Sequence, residues 1–238
     1  MPRKRIVSSM PVRLFLALSI AAFAVGVVLP QADAAPASSA VSADDWEFDF
    51  RPGPLRLYID PSDNRAYWYF TYTVINRTDR DRTWVPMIEL FTDEGQIMPA
   101  GKNVSSRLTK QLRTLLKNPL LEEQNQIIGD LRVGRENARS GLAVWPANRL
   151  GITELTLFVR GISSDAEELT GVAATVGREE GAAGKGKKYL YKSLRRVYEV
   201  PGNPQQQGSK PLKLSPRMNR QGPECDLPHP RGGCWIYR

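Results

Sequence analysis

The chain is poor in the side chains that carry most enzyme chemistry, with one histidine and two cysteines in 238 residues. The histidine, His229, stands between Pro228 and Pro230, so a Ser–His–Asp or Cys–His arrangement would have to be built from an irregular loop. There is no CxxCH segment for a c-type haem and no GxxxxGK(S/T) phosphate loop. The Gly-rich GAAGKGKK has no amphipathic helix behind it to supply an anion-binding N-terminus, and reads as a hairpin loop. A closed zinc site needs four ligands; CDLPHPRGGC offers Cys225, His229 and Cys234, with Asp226 next to Cys225. The carboxylates Asp49, Asp60, Asp63, Glu89, Glu122 and Glu123 lie in expected turns or on expected outer faces, with no spacing that singles out a catalytic pair. No cofactor is implied.

Long apolar runs are also scarce. The one run, Leu14 to Leu29, follows Arg3, Lys4, Arg5 and Arg13 and precedes Pro30 and the small residues Ala32 to Ala34. That is the three-part layout of a secretory signal peptide over residues 1–34, and the run is short for a bilayer span; an uncleaved anchor is the rival reading. Residues 35–45 are small and polar and read as a flexible leader. Cleavage leaves 204 residues, enough for one domain with a tail. Four basic residues and Asp33 depart with the signal peptide, so the formal charge falls from +8 to +5.

What is present is strand periodicity. In WEFDF, Trp46, Phe48 and Phe50 alternate with acids, and in LRLYI, Leu55, Leu57 and Ile59 alternate with Arg56 and Tyr58. The intervening RPGP predicts two edge strands or one bent strand. In YWYFTYTVI, Trp68, Phe70, Tyr72 and Val74 share one face, while Tyr67, Tyr69, Thr71 and Thr73 share the other. The first set interleaves like a core; the second is the face that could be open to a ligand. NRTDRDR predicts a turn, and its Asn76-Arg77-Thr78 also fits a glycosylation acceptor. TWVPMIELF is expected to return antiparallel, with an edge or bulge at Pro86.

From Val104 to Lys117, apolar Val104, Leu108, Leu112, Leu115 and Leu116 recur at spacings of three and four, opposite Arg107, Lys110, Arg113 and Lys117. This predicts an amphipathic helix with Asn103 or Ser105 as N-cap, covering an open end of a β domain or lying on a membrane surface. Beyond a loop at NPLLEEQNQIIGDLRVGREN, strands are expected in SGLAVWP, ITELTLFVRGI and KKYLYKSLRRVYEV, and finally in residues 234–238. About seven short strands with one helical insertion predict a mainly β fold, an immunoglobulin-like antiparallel β-sandwich over residues 46–200 with a tail at 201–238. Cys225 and Cys234, an even pair in an oxidising compartment, read as a disulfide tying the tail to the last strand.

The order WEFDF, YWYFTYTVINRTDRDR, PMIELFTDEG, a helix, VGRENARSGLAVWP, ELTLFVRGIS, RRVYEVPG and a terminal WIYR resembles a group of uncharacterised secreted proteins from planctomycete bacteria, over roughly Trp46 to Arg238. The resemblance implies an envelope location and a compact β domain, and brings no functional residue with it. The segment around Cys225 to Gly233 is expected to depart from that group.

The last quarter of the chain is strongly basic, and Lys185, Lys187, Lys188, Lys192, Arg195 and Arg196 form its densest stretch. Such a stretch is either a solvated strand face or a patch for anionic polymers. Secretion argues against nucleic acid, and leaves an envelope protein or an anionic surface polymer as partner, with membrane contact only through an uncleaved signal segment. Three functions follow: a non-catalytic interaction module using Tyr67, Tyr69 and the basic stretch, a carbohydrate-binding module for acidic glycans, and a hydrolase with an unrecognised site.

Overall fold

The computed structural model describes residues 45–169, 188–218, 225 and 227–238. The expected signal peptide, the leader up to residue 44 and residues 181–187 of GAAGKGKK, with Lys185 and Lys187, lie outside the described residues. In chain order the strands are β1 (Asp49–Ile59), β2 (Ala66–Ile75), β3 (Arg82–Trp84), β4 (Met87–Thr92), β5 (Ile97–Pro99), β6 (Leu121–Glu123), β7 (Gly129–Leu131), β8 (Arg139–Pro146), β9 (Glu154–Arg160), β10 (Ala166–Glu168), β11 (Tyr189–Glu199), β12 (Lys213–Leu214), β13 (Leu227–Pro228) and β14 (Cys234–Tyr237). Helix α1 (Ser106–Leu115) lies between β5 and β6, and a single turn, α2 (Pro204–Gln207), precedes β12.

The strands form a four-stranded sheet, β1-β2-β8-β6, and a larger one running β13-β14-β11-β9-β4-β5, with β10 and β12 also paired to β11. All these pairings are antiparallel except β6 with β8. One core joins the two sheets: Phe50, Leu55, Leu57, Trp68, Phe70, Tyr72, Val74 and Trp145 from the first meet Ile88, Leu90, Leu155, Leu157, Val159, Leu194 and Tyr198 from the second. The fold is therefore a mainly β sandwich with one amphipathic helix.

RPGP does not end a strand. It bends β1, because three steps from Pro52 to Leu55 oppose only two from Tyr72 to Phe70. The extra residue is a β-bulge, and it explains why Phe48 and Phe50 are even-numbered while Leu55 and Leu57 are odd, yet all four are buried together. Gly53 sits there because a Cβ would come within 2.5 Å of the Thr71 carbonyl oxygen.

Two expectations of local pairing are corrected. β4 does not return on β2; it pairs with β9 and β5 in the other sheet, so the NRTDRDR segment crosses between sheets. Asn76 holds that crossing: its buried amide donates to the carbonyls of Arg80 and Leu131, and its oxygen accepts from Thr78. A carboxamide so engaged is a turn lock rather than a glycan acceptor. The segment read as a loop at 118–137 contributes the short strands β6 and β7.

Described residues beyond 200 are integral to the sandwich. β14 pairs with β11, Leu212 is buried and its N–H reaches the Leu55 carbonyl, and the Cys225–Cys234 disulfide packs with Met218 and Val197 against β11. No described helix is long and apolar enough to cross a membrane.

Candidate binding groove

Helix α1 starts at Ser105, whose hydroxyl accepts from the Leu108 N–H, and ends with Lys117 at positive φ, where the Asn118 N–H bonds back to the Arg113 carbonyl. It lies on the outer face of the four-stranded sheet rather than over an open end. Leu108 and Leu112 pack there with Tyr67, Tyr69, Leu121, Leu142 and Val144. The face on which a ligand was expected is thereby closed: Tyr69 is 1% exposed and Tyr67 9%. The reason is physical: Tyr67 and Tyr69 beside Leu142 and Val144 make a largely apolar patch of the sheet face, and covering it with leucines removes that surface from water.

The basic stretch is likewise dispersed, because successive residues of a strand point to opposite faces. Arg196 is buried, donating to Tyr198 Oη at 2.8 Å and to the carbonyls of Arg231 and Gly232. Lys192 pairs with Glu47 at 3.0 Å and lies over the Trp235 ring. Arg195 lies on the opposite side of β11, opposite Phe158 and Cys234 in register, and Lys188 is exposed at the start of the strand.

The scattered carboxylates are engaged as ion pairs: Asp60 with Arg107, Asp63 with Arg65, Glu89 with Arg238, Glu122 with Arg139, and Glu123 with Arg113. His229 is buried edge-on against Trp235 at 5.2 Å, and its Nδ1 accepts from the Arg231 N–H. Burial, with Arg196 and Arg231 nearby, lowers its pKa to about 4, so it is a neutral packing residue near pH 7. Among the described residues no three His, Cys, Asp or Glu gather as metal ligands, and Cys225 and Cys234 are consumed by their disulfide.

A hollow lies elsewhere, at the end of the sheet where β1 turns into β2. It encloses about 670 Å³ and is lined by Asn64, Arg65, Ala66, Tyr67, Asn103, Pro146, Ala147, Asn148 and Leu150. A smaller depression of about 130 Å³ shares Asn103, Pro146 and Asn148 and continues it to Gln96, Ile97 and Lys102. The rim is held firmly. Asp60, almost fully buried, accepts from the Ser62 N–H and hydroxyl and from Arg107 on α1; these bonds, those to Ser62 first, hold its carboxyl below the usual range against desolvation. The Asn64 N–H bonds to the Asp60 carbonyl, Ala147 to Ala66, and Gly101 to Val144.

Asn64 and Asn103 adopt positive φ, 56° and 59°, a conformation that asparagine tolerates better than most residues. The side-chain amides of Asn64, Asn103 and Asn148 are exposed and make no hydrogen bond to another described residue. Each carries two donors and an acceptor oxygen, so the hollow is lined by three carboxamides and one guanidinium. Sequence periodicity could not mark them, since all three lie between strands; of the three, Asn103 stood out, as a possible helix cap. Comparison of the chain with known protein families, with curated proteins and with solved structures finds no match.

Proposed function

We propose that this protein is a secreted, non-catalytic binding module of the cell envelope that holds a polyhydroxylated, saccharide-type ligand in the Asn64–Asn103–Asn148 groove. The observation that carries the reading is the set of three carboxamides, without a hydrogen-bond partner among the described residues, on a hydrogen-bonded rim. Neighbouring hydroxyls of a sugar both donate and accept, and a carboxamide answers both at once. The signal-like N-terminus, the disulfide and the resemblance to secreted planctomycete proteins support an envelope location. Arg65 and Lys102 on the groove favour sugars carrying a carboxylate over neutral ones.

The test is titration of residues 35–238 against a panel of neutral and acidic oligosaccharides. The variant Asn64→Gly/Asn103→Gly/Asn148→Ala deletes all three amides while glycine keeps the positive-φ backbone relaxed. Binding by the parent that weakens about fivefold per amide removed, with unchanged melting, is the expected result. Equal binding by parent and triple variant, or no binding across the panel, refutes it. A second reading, a protein partner on the outer face of the larger sheet, is favoured by the exposed Met87, Ile97 and Tyr191; salt-resistant capture that Ile97→Ser abolishes would bring it forward.

A further inference from the structure

Far from the groove, at the opposite end of the β1–β2 pair, one carboxylate is met by three guanidiniums. Asp49 Oδ2 accepts from Arg51 Nε and Nη2, at 3.2 and 2.8 Å, and from Arg77 Nε at 3.0 Å, while Oδ1 accepts from Arg231 Nη2 at 3.1 Å. Asp49 and Arg51 stand two residues apart on β1, Arg77 follows the end of β2, and Arg231 lies in the turn joining β13 to β14. The cluster thus ties the edge strand of the smaller sheet to the far edge of the larger.

Asp49 is 17% exposed, whereas the side chains of Arg51, Arg77 and Arg231 are 33%, 54% and 46% exposed. Asp49 is the acidic partner of all three among the described residues, so two positive charges stand unbalanced. The bonds from Arg51, then Arg77 and Arg231, hold its carboxyl far below the usual range, and the carboxylate stays charged at any ordinary pH. A guanidinium has five N–H donors, and these three commit only one or two each to Asp49.

We infer that Arg51, Arg77 and Arg231 form an oxyanion-binding site organised by Asp49, which takes the sulfate or carboxylate groups of an anionic polysaccharide. Asp49 pulls the three forks together and at the same time competes with the ligand. The site is open and half-solvated, where a single anion gains little. A polymer presenting many such groups gains by multivalency, and guanidinium forks match planar and tetrahedral oxyanions better than ammonium groups do. This inference does not rest on the groove: it uses different residues at the other end of the molecule.

The experiment measures binding of residues 35–238 to dextran sulfate and polygalacturonate, with neutral dextran as reference, over a range of salt. Arg51→Gln/Arg77→Gln is compared with Lys110→Gln/Lys117→Gln, which removes the same charge from exposed positions on α1 and just beyond its end. The arginine pair should weaken binding about tenfold and lower the salt slope by about two, and the lysine pair should change both much less. Asp49→Asn, which removes the competing charge, should strengthen binding by about fivefold. A loss common to both pairs would mean attraction by net charge alone and overturn the inference, as would an Asp49→Asn protein that melts cooperatively and binds no better. Should Asp49→Asn fail to fold, the two paired variants still decide. Neutral oligosaccharide binding in the groove is unaffected by either outcome.

Discussion

The two outer faces of the sandwich solve one problem in two ways. On the smaller sheet, Tyr67, Tyr69, Leu142 and Val144 are covered by a local element, α1, whose Leu108 and Leu112 insert between them. On the larger sheet, Val197 and Cys234 are covered by the end of the chain, through Met218, Leu214 and Cys225. The helix forms from a repeating pattern and attaches by apolar contact. The terminal segment has few apolar residues and is rich in proline and glycine, so it pairs by short ladders and is held covalently. An element with a strong pattern needs no tie, and one without it does.

Removing the helix's anchor should have the largest effect. Leu112→Ala opens a cavity at a fully buried position, with an expected loss of about 2–5 kcal/mol in denaturant unfolding. Hydrogen exchange should then quicken across β2 and β8 and leave β11 protected. A uniform increase instead would mean that the helix is not a separable cover. Next, Cys225→Ser/Cys234→Ser should cost about 2.5–3 kcal/mol, the loop-closure entropy of a tie across nine positions. Its loosening should be confined to β13, β14 and the 211–218 segment.

At neutral pH the smallest effect is that of the histidine, which shows itself only in acid. His229 titrates near 4 in the fold against about 6.5 unfolded, so between those values the unfolded chain binds more protons and stability falls as pH falls. Because it is the single histidine in the chain, His229→Asn should flatten that window while leaving the steeper loss at lower pH, where Asp49 takes up its proton. An unchanged profile would remove His229 from the account of how the chain end is held.

The two faces also differ in how well the sequence displayed them. The alternation of Trp68, Phe70, Tyr72 and Val74 and the spacing of Leu108 and Leu112 are local, and both elements appear where that spacing puts them, with Ser105 as the cap. Period alone says that Tyr67 and Tyr69 share a face, and cannot say what lies on it; the leucines that bury them sit about forty residues away. Strand partners across sheets, such as β4 with β9, are equally non-local. The same holds for the charges: the run at 185–196 is dense in sequence but dispersed in space, whereas the arginines that meet on Asp49 come from the distant positions 51, 77 and 231.

The extra residue between Pro52 and Leu55 has a consequence for how this chain can change over time. Everything before it in β1 faces inward on one count of residues, and everything after it on the other. A single deletion at that point is the spatial counterpart of a frameshift: every codon downstream is still read correctly, yet Phe48 and Phe50 would be presented to water and Asp49 and Arg51 turned toward the core. Length variation in this hairpin can therefore be accepted in twos, and not in ones.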